Sequence, residues 1–439
     1  MILFATAWTL FAFAGIYRWT TVPLMASVLI LTRLVRPRIA TRANRALDLA
    51  LIAALAAVAL QLVPLPSALR PIAAPAAVAF ERAVRVADPG GGSGPITVDP
   101  DATAFALYID GVVILLFWSA RRAFERGGVR RVVRGIAVLG LIAVPLAIAQ
   151  HLWSPKAFYG EVPPIASNAL PFTPFVNRND FAGWLLTAVP AVLGYAIARI
   201  QSRRHAGDPL DPEEAFDNTS MVLGFAIFVM TVGLLASLSR SGLLGLIAAL
   251  ALFLAIARGR MSAAWLRWMT LGIAAMLLLG LMYTNAGALR ERLSGAVTEG
   301  VFGRVDIWRQ TWPMVTDFWP AGSGVGTYQK VMLLYQTSSR RFSISHADDE
   351  YLQILAEGGA LLAVPAAIAI VAAAIAIRRR LIDDRSPIYW VRGGAACGIF
   401  GLAIQNVFEM TLRVPANAVL VAVLAAIALH DGAARQPQA

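Results

Sequence analysis

Long apolar runs constrain this chain more than any other feature of its sequence. A helix needs about 20 consecutive apolar residues to cross the hydrocarbon core of a bilayer, and runs of roughly that length recur along most of the chain. The composition is 58% hydrophobic and 15% charged, whereas soluble proteins carry about 25% charged residues. Cys397 is the single cysteine. We therefore predict an all-α polytopic membrane protein and exclude a soluble enzyme, a fibre, a disordered chain and a disulfide scaffold.

About twelve segments are apolar enough to span a membrane as helices. Their approximate limits are 2–16, 20–32, 46–63, 104–120, 135–152, 180–198, 220–237, 241–257, 266–284, 351–377, 391–408 and 414–429. These limits divide the chain into membrane helices with short loops (1–284), a large polar loop (285–350), and a second membrane part with a C-terminal tail (351–439).

Arginine marks alternate connections between these segments. The loops over 33–45, 121–134, 199–204, 258–260 and 378–385 are dense in arginine, and loops of that kind stay in the cytoplasm. The alternation predicts that both termini are cytoplasmic and that the large polar loop lies on the outer side. It also accounts for the net charge of +12 without a nucleic-acid partner.

Two further features belong to the outer side. Residues 64–103 are rich in proline and glycine, with ADPGGGSGP at 87–95, which predicts a flexible excursion. Asp110 is the clearest ionisable residue within a span, about 9 Å from its outer end at the helical rise. A carboxylate there indicates either a functional group or a polar contact between helices. Because polar residues otherwise gather at the outer helix ends, the pattern favours an interfacial enzyme over an ion-coupled transporter.

The segment PFVNRNDFAGWL precedes the sixth span and carries Arg178 at the membrane surface. Asn177 and Asn179 flank this arginine. Asn179 or Asp180 can cap the following helix, which leaves its first N–H groups open to an anion. The alternative is a helix cap with an arginine that snorkels to the interface.

Two more arginines lie on the outer side. Arg240 stands in SLSRSGLLG, a tight turn between two spans, where the positive-inside pattern disfavours arginine. Arg304 shares a helical face with Trp308 and Trp312, and such tryptophans suit a helix at the level of the lipid headgroups. The glycines of GSGVG, which follow, permit close backbone approach. Interfacial anchoring is the alternative to a binding role.

The segment RRFSISHADDEYLQILAEGG enters the tenth span. His346 is the one histidine of the large polar loop, and a histidine with an ordinary pKa of about 6.5 accepts a proton at neutral pH. Asp348, Asp349 and Glu350 follow, as at a solvated helix N-terminus. A metal site is disfavoured, because no second cluster of oxygen ligands accompanies them.

Four motifs, taken in order, resemble the O-antigen ligase and polymerase superfamily of bacterial membrane glycosyltransferases. They are NRNDFAG at 177–183, SRSG at 239–242, GRxxxW at 303–308 with its GxGxG continuation, and HADDEYLQILAEGG at 346–359. The likeness covers most of residues 100–430, and the ordered set is more specific than any one motif.

The resemblance implies a GT-C-like fold in the bacterial inner membrane, with a large periplasmic loop between late spans. It implies transfer of a glycan from undecaprenyl pyrophosphate to an acceptor hydroxyl, without a metal or other cofactor. A ligase uses lipid A–core as acceptor, whereas a polymerase extends the lipid-linked O-antigen or exopolysaccharide chain. The alternative that is not an enzyme is a transporter of lipid-linked glycan. The ligase, the polymerase and the transporter would all be in contact with membrane lipids.

The resemblance also implies roles for individual residues. The outer arginines that hold the pyrophosphate correspond to Arg178, Arg240 and Arg304. The supporting positions are Asn177, Asn179, Trp308 and Glu350. His346 corresponds to a loop histidine that serves as base. Many relatives, however, place the key histidine two residues before the acidic residue of the D/E-Y-L-Q string, where this chain has Asp348. Both residues are therefore candidate bases, and His346 is slightly favoured.

Overall fold

The computed structural model describes residues 1–84, 92–162, 171–205, 217–283, 303–337 and 343–430. Helices form the regular structure of these ranges, which contain no named strand. In chain order they are α1 (Ile2–Phe11), α2 (Thr21–Val35), α3 (Arg45–Gln61), α4 (Arg70–Ala73), α5 (Pro75–Val84), α6 (Pro100–Glu125), α7 (Val129–Trp153), α8 (Arg178–His205), α9 (Asn218–Ala236), α10 (Arg240–Arg258), α11 (Ala263–Tyr283), α12 (303–317), α13 (Tyr328–Tyr335), α14 (Glu350–Asp383), α15 (Ile388–Gln405) and α16 (Pro415–Leu429).

A helix lies at each apolar segment of the sequence. Seven of the described helices are long and apolar enough to cross a membrane, namely α2 with the turn before it, α6, α7, α8, α9, α10 and α14. Helices α1 and α16 are apolar and shorter. The 34 residues of α14 exceed the length that a bilayer requires, and the helix is broken at Gly359. The architecture is that of a helical membrane protein.

Helix α8 forms the centre of the bundle, since 89% of its apolar span is buried. Small residues bring it against α15. A Cβ added to Gly194 would lie 2.1 Å from the Trp390 carbonyl oxygen, and one added to Gly394 would lie 2.2 Å from the Pro190 carbonyl oxygen. Such close backbone approach is typical of helix pairs in membranes. It aligns the start of α8 with the end of α15, where the candidate site lies.

A second hydrophobic cluster forms a separate layer beside the bundle. It joins α5, α12, α13 and the first turns of α14 through Ala77, Met314, Phe318, Tyr328 and Leu352, among others. This layer contains the described part of the large polar loop, and the expected residues 285–302 of that loop lie outside the described ranges.

The described part of residues 64–103, which was predicted to be a flexible excursion, contains two short helices with defined contacts. Arg70 is buried, forms an ion pair with Glu81 and donates from Nε to the Pro95 carbonyl oxygen (3.1 Å). These contacts fold α4 and α5 against the following chain, despite the proline-rich composition. Residues 85–91, which include part of the glycine run, lie outside the described ranges.

The glycines after α12 connect this layer to α14. Gly324 has a φ of +107°, and its N–H donates to the Glu357 carbonyl oxygen (2.9 Å). A Cβ at Gly324 would lie 1.9 Å from Thr97 Oγ1. The predicted close backbone approach of this segment is confirmed.

A buried ion pair closes the opposite end of the bundle. Asp48 on α3 is fully buried and accepts hydrogen bonds from both terminal nitrogens of Arg121 (2.9 and 2.7 Å) and from Trp118 Nε1 (3.0 Å). The neighbouring pair of Arg122 and Glu125 is partly exposed. The two pairs therefore differ in burial while sharing the same helix end.

Replacing Asp48 with alanine should lower the free energy of unfolding by about 3–5 kcal/mol, because it leaves the Arg121 charge buried without a partner. Thermal unfolding of the purified protein in detergent measures the change. Glu125→Ala is the matched control and should cost no more than about 1 kcal/mol. Equal losses in the two variants would contradict the structural role of Asp48.

Candidate functional site

The carboxylate of Glu409 joins three segments that are far apart in the sequence. Its Oε1 accepts hydrogen bonds from Asn179 Nδ2 (2.7 Å), from Ser241 Oγ (3.2 Å) and from a terminal nitrogen of Arg304 (2.6 Å). Glu409 lies in the turn between α15 and α16, and only 7% of its side chain is exposed. The three predicted arginine segments therefore meet at one buried oxygen, which we call the Glu409 junction.

The segment around Arg178 forms the start of α8. The helix begins at Arg178, and Asn177 Oδ1 accepts a hydrogen bond from the backbone N–H of Asn179 (2.9 Å). The prediction that Asn179 or Asp180 caps this helix is wrong, since Asn177 does so. The Asn179 side chain is instead directed to Glu409.

Two side-chain amides hold this helix start in place. Gln405 Nε2 donates to the Asn179 carbonyl oxygen (2.9 Å), and Asn417 Nδ2 donates to the Asp180 carbonyl oxygen (3.0 Å). Because these amides come from α15 and α16, the start of α8 is fixed to the turn that carries Glu409.

The SRSG turn brings Arg240 to the same place. Ser239 caps α10 by accepting a hydrogen bond from the Gly242 N–H (3.2 Å), and Ser241 reaches Glu409. Arg240 is the first residue of α10 and is half-buried. Its guanidinium group forms no hydrogen bond or ion pair with the residues that the structure describes.

Helix α12 carries Arg304 and Trp308. Arg304 is ion-paired with Glu409, and its Nε is buried with no acceptor among the described residues. One turn further on, Trp308 Nε1 donates to the Ala347 carbonyl oxygen (3.0 Å). Helix α12 therefore connects the Glu409 junction to the segment that carries His346.

His346 precedes the acidic run at the start of α14. Its side chain is exposed to solvent, and its Nδ1 is paired with Ser345 Oγ (2.9 Å). Desolvation by the surrounding protein, followed by the positive charge of Arg413, lowers the pKa of His346 below its ordinary value, and Glu357 opposes the shift. The imidazole is consequently neutral at neutral pH, and its affinity for a proton is lower than that of a free histidine.

The two aspartates after His346 have different surroundings. Asp349 caps α14 by accepting two backbone hydrogen bonds (2.9 and 3.1 Å). Asp348 has a φ of +50°, and burial raises its pKa while Arg304 opposes the increase. Asp348 thus lies within electrostatic reach of Arg304, whereas His346 lies within reach of Arg413.

A second charged cluster surrounds Arg413. Arg413 Nε donates to Glu350 Oε1 (3.3 Å), and a terminal nitrogen is paired with Glu357 Oε2 (2.6 Å). Asp110 lies within electrostatic reach of all three. Of the predicted acidic helix N-terminus, Asp349 acts as the cap of α14, whereas Glu350 is buried in an ion pair with Arg413. Within the described ranges, no group of three or more His, Cys, Asp or Glu side chains is arranged to hold a metal ion.

Glu409, Arg413 and Glu357 were not among the predicted site residues. Glu409 and Arg413 are the charges of EMTLR, the turn between the last two apolar segments, and two charges in so short a turn were a usable signal. Glu357 follows Glu350 by two helical turns, so both carboxylates share one face of α14.

The fold and this site define a helical membrane protein whose polar side chains converge at one end of the bundle. Residues 225–367 match the family model described as O-Antigen ligase. This match supports the O-antigen ligase and polymerase superfamily and confirms the predicted resemblance over that range, which includes Arg240, Arg304 and His346. A search of the curated proteins found no match.

Burial raises the pKa of Glu409 to about 7, against the opposing charge of Arg304. Because this pKa exceeds the ordinary value of 4.5, the contribution of Glu409 to stability is complete at acid pH and is lost as the pH rises through about 7. Glu409→Gln cannot titrate. Between pH 4.5 and 7, the unmodified protein should therefore lose stability relative to this variant. Parallel curves of unfolding temperature against pH would contradict the raised pKa.

Proposed function

We propose that this protein transfers a glycan from undecaprenyl pyrophosphate to an acceptor hydroxyl. The observation that carries the proposal is the Glu409 junction, which gathers the segments of Arg178, Arg240 and Arg304 around one carboxylate oxygen. Guanidinium groups bind phosphate oxygens through paired hydrogen bonds. Three of them at one end of a bundle of apolar helices suit a ligand with a diphosphate head and a hydrocarbon tail.

The arginines stabilise the leaving group. As the acceptor oxygen bonds to the sugar C1, the bond from C1 to the phosphate oxygen breaks, and its electron pair remains on the undecaprenyl pyrophosphate. Fixed cationic groups aimed at this growing charge lower the barrier. Arg240 and the Nε of Arg304 support this role, since neither has an acceptor among the described residues.

His346 acts as the base in this proposal. The acceptor hydroxyl gives its proton to the imidazole nitrogen that is not paired with Ser345. The lowered pKa of His346 keeps it unprotonated at neutral pH. Asp348 is the second candidate, yet its position near Arg304 suits contact with the donor better than proton transfer from the acceptor.

The same proposal includes the placement in the membrane. The twelve segments cross the bacterial inner membrane in a GT-C-like arrangement, both termini are cytoplasmic, and the loop of residues 285–350 and the Glu409 junction face the periplasm. The arginine-dense connections support this orientation. Residues 1–284 and 351–439 then form the membrane part.

A ligase and a polymerase use the same lipid-linked donor and the same transfer chemistry, and they differ in the acceptor. We propose the ligase-like reaction, in which the acceptor is lipid A–core or another surface molecule. Extension of the lipid-linked chain, as in an O-antigen or exopolysaccharide polymerase, is the alternative. Incubation with a defined lipid-linked oligosaccharide, with and without lipid A–core, separates them. A transporter would move the glycan without breaking a glycosidic bond.

Alanine at Arg178, Arg240 or Arg304 should reduce the transfer rate by about 100-fold or more, because each removes charge stabilisation from the departing diphosphate. Transfer from lipid-linked oligosaccharide in reconstituted membranes measures the effect. Lysine at the same positions should retain part of the activity, since it keeps the charge and loses the paired hydrogen bonds.

The control is Arg130→Ala, an exposed arginine at the opposite end of the bundle, which should leave transfer unchanged. Full activity in the Arg178 and Arg240 variants, at normal expression, would remove the diphosphate assignment.

The base assignment predicts a pH profile. Because the pKa of His346 is lowered, transfer should stay constant through the range in which a free histidine titrates, about pH 6–7, and should fall only at more acid pH. His346→Ala should slow transfer by about 100-fold or more, and Asp348→Asn should slow it less. If neither substitution slows turnover, the base lies elsewhere.

A further inference from the structure

An open groove lies between α12 and the first turns of α14, outside the Glu409 junction. Its volume is about 800 Å³, and it follows α12 from Val305 to Thr316, which is about 16 Å at the helical rise. We call it the α12–α14 groove. Three of its lining side chains are aromatic and two are charged, namely Trp308, Trp312, Tyr351, Arg309 and Asp349.

The two tryptophans give the groove an aromatic wall. Trp308 is held in place, because its Nε1 donates to the Ala347 carbonyl oxygen (3.0 Å). Trp312 lies one turn further along α12 and is 55% exposed, and its Nε1 donates to no described residue. An exposed indole offers both an apolar face and a hydrogen-bond donor. The C–H face of a sugar ring packs on such a surface, and its hydroxyls bond to polar groups at the edge.

Opposite charges line the groove, one from each helix. Arg309 on α12 forms no hydrogen bond or ion pair with the described residues. Asp349 caps α14 through Oδ1 alone, so its Oδ2 accepts nothing within the described ranges. A hydrocarbon chain would leave both groups without a partner, and a phosphate headgroup would meet no excess of positive charge. Sugar hydroxyls donate to a carboxylate and accept from a guanidinium group, so the pair suits a neutral glycan.

One end of the groove adjoins the residues assigned to the donor. Val305 follows Arg304 in the chain, and Asp349 follows Asp348. In the proposed reaction Arg304 binds the diphosphate, to which the first sugar of the donor glycan is attached. A glycan that extends from this diphosphate meets the groove one residue further along α12. The acceptor has no such attachment, so the continuity favours the donor glycan as the occupant.

We propose that the α12–α14 groove binds the neutral glycan of the lipid-linked donor, with a sugar ring packed on Trp312 and hydroxyls bonded to Arg309 and Asp349. The inference rests on the proposed glycan transfer. It names the surface that recognises the carbohydrate of the donor, as distinct from the arginines that bind its diphosphate.

Two lipids test the proposal, undecaprenyl pyrophosphate alone and undecaprenyl pyrophosphate that carries a neutral oligosaccharide. The Kd of each is measured for the full chain in detergent micelles, with no acceptor present. Because the bare lipid lacks sugar, its binding reports the diphosphate and the hydrocarbon alone. The unmodified protein should bind the glycan-bearing lipid at least about tenfold more tightly.

Trp312→Ala removes the exposed aromatic surface. It should raise the Kd of the glycan-bearing lipid about tenfold or more and change that of the bare lipid by less than about twofold. Arg309→Met keeps the length of the side chain and should raise only the Kd of the glycan-bearing lipid, by about threefold or more. Trp319→Ala is the matched control, because Trp319 is 52% exposed in the same layer and does not line the groove. It should change neither Kd, and unfolding temperatures verify the folding of all variants.

Equal affinity of the unmodified protein for the two lipids overturns the proposal. An equal response of the Trp312 and Trp319 variants overturns it as well, since both tryptophans would then only anchor the layer at the membrane. Weaker binding of both lipids by Trp312→Ala also contradicts a groove specific for glycan.

Addition of an acceptor separates this proposal from the proposed function. If the glycan-bearing lipid binds with the expected dependence on Trp312 but no glycan is transferred, the groove stands and the transfer reaction fails. If glycan is transferred and Trp312→Ala leaves both the Kd and the KM of the donor unchanged, the transfer reaction stands and the groove fails.

Discussion

One carboxylate oxygen, the Oε1 of Glu409, determines how the candidate site is assembled. Its three donors come from residues 230, 168 and 105 positions away in the chain. A buried carboxylate is costly unless donors satisfy it. The hydrogen bonds that satisfy Glu409 therefore join the turn between the last two helices to the start of α8, to the start of α10 and to the layer beside the bundle. The segments of Arg178, Arg240 and Arg304 lie close together because each donates a hydrogen bond to the Glu409 carboxylate.

The second constraint is the pairing of Arg413 with Glu350 and Glu357. Arg413 is four residues from Glu409 in the same turn, so one short segment organises both charged clusters. The His346–Asp348 segment lies between them, held by the hydrogen bond from Trp308 to the Ala347 carbonyl oxygen.

Apolar runs were enough to locate the long apolar helices of the described ranges, because a helix that crosses lipid needs continuous hydrophobicity. The segments of Arg178, Arg240 and Arg304 and the GSGVG turn could also be predicted, since these arginines lie in the loops between the arginine-dense ones and the glycines permit close backbone approach. Glu409 and Glu357 escaped notice because their significance lies in contacts that span the chain. The ion pair of Arg70 and Glu81 orders a segment whose proline-rich composition predicted flexibility. Asn177 rather than Asn179 caps α8, because the Asn179 side chain is hydrogen-bonded to Glu409, and this contact is not visible in the sequence.

The break in α14 at Gly359 (φ +55°) has a mechanical consequence. The backbone there lies against Pro320 and Gly322, and the Leu361 N–H donates to the Pro320 carbonyl oxygen (3.2 Å). The backbone at Pro320 and Gly322 holds the turns that carry Glu350 and Glu357, and the remaining turns of α14 follow after a change of direction. The position of the two carboxylates is therefore set by these loop contacts and not by the direction in which the rest of α14 continues.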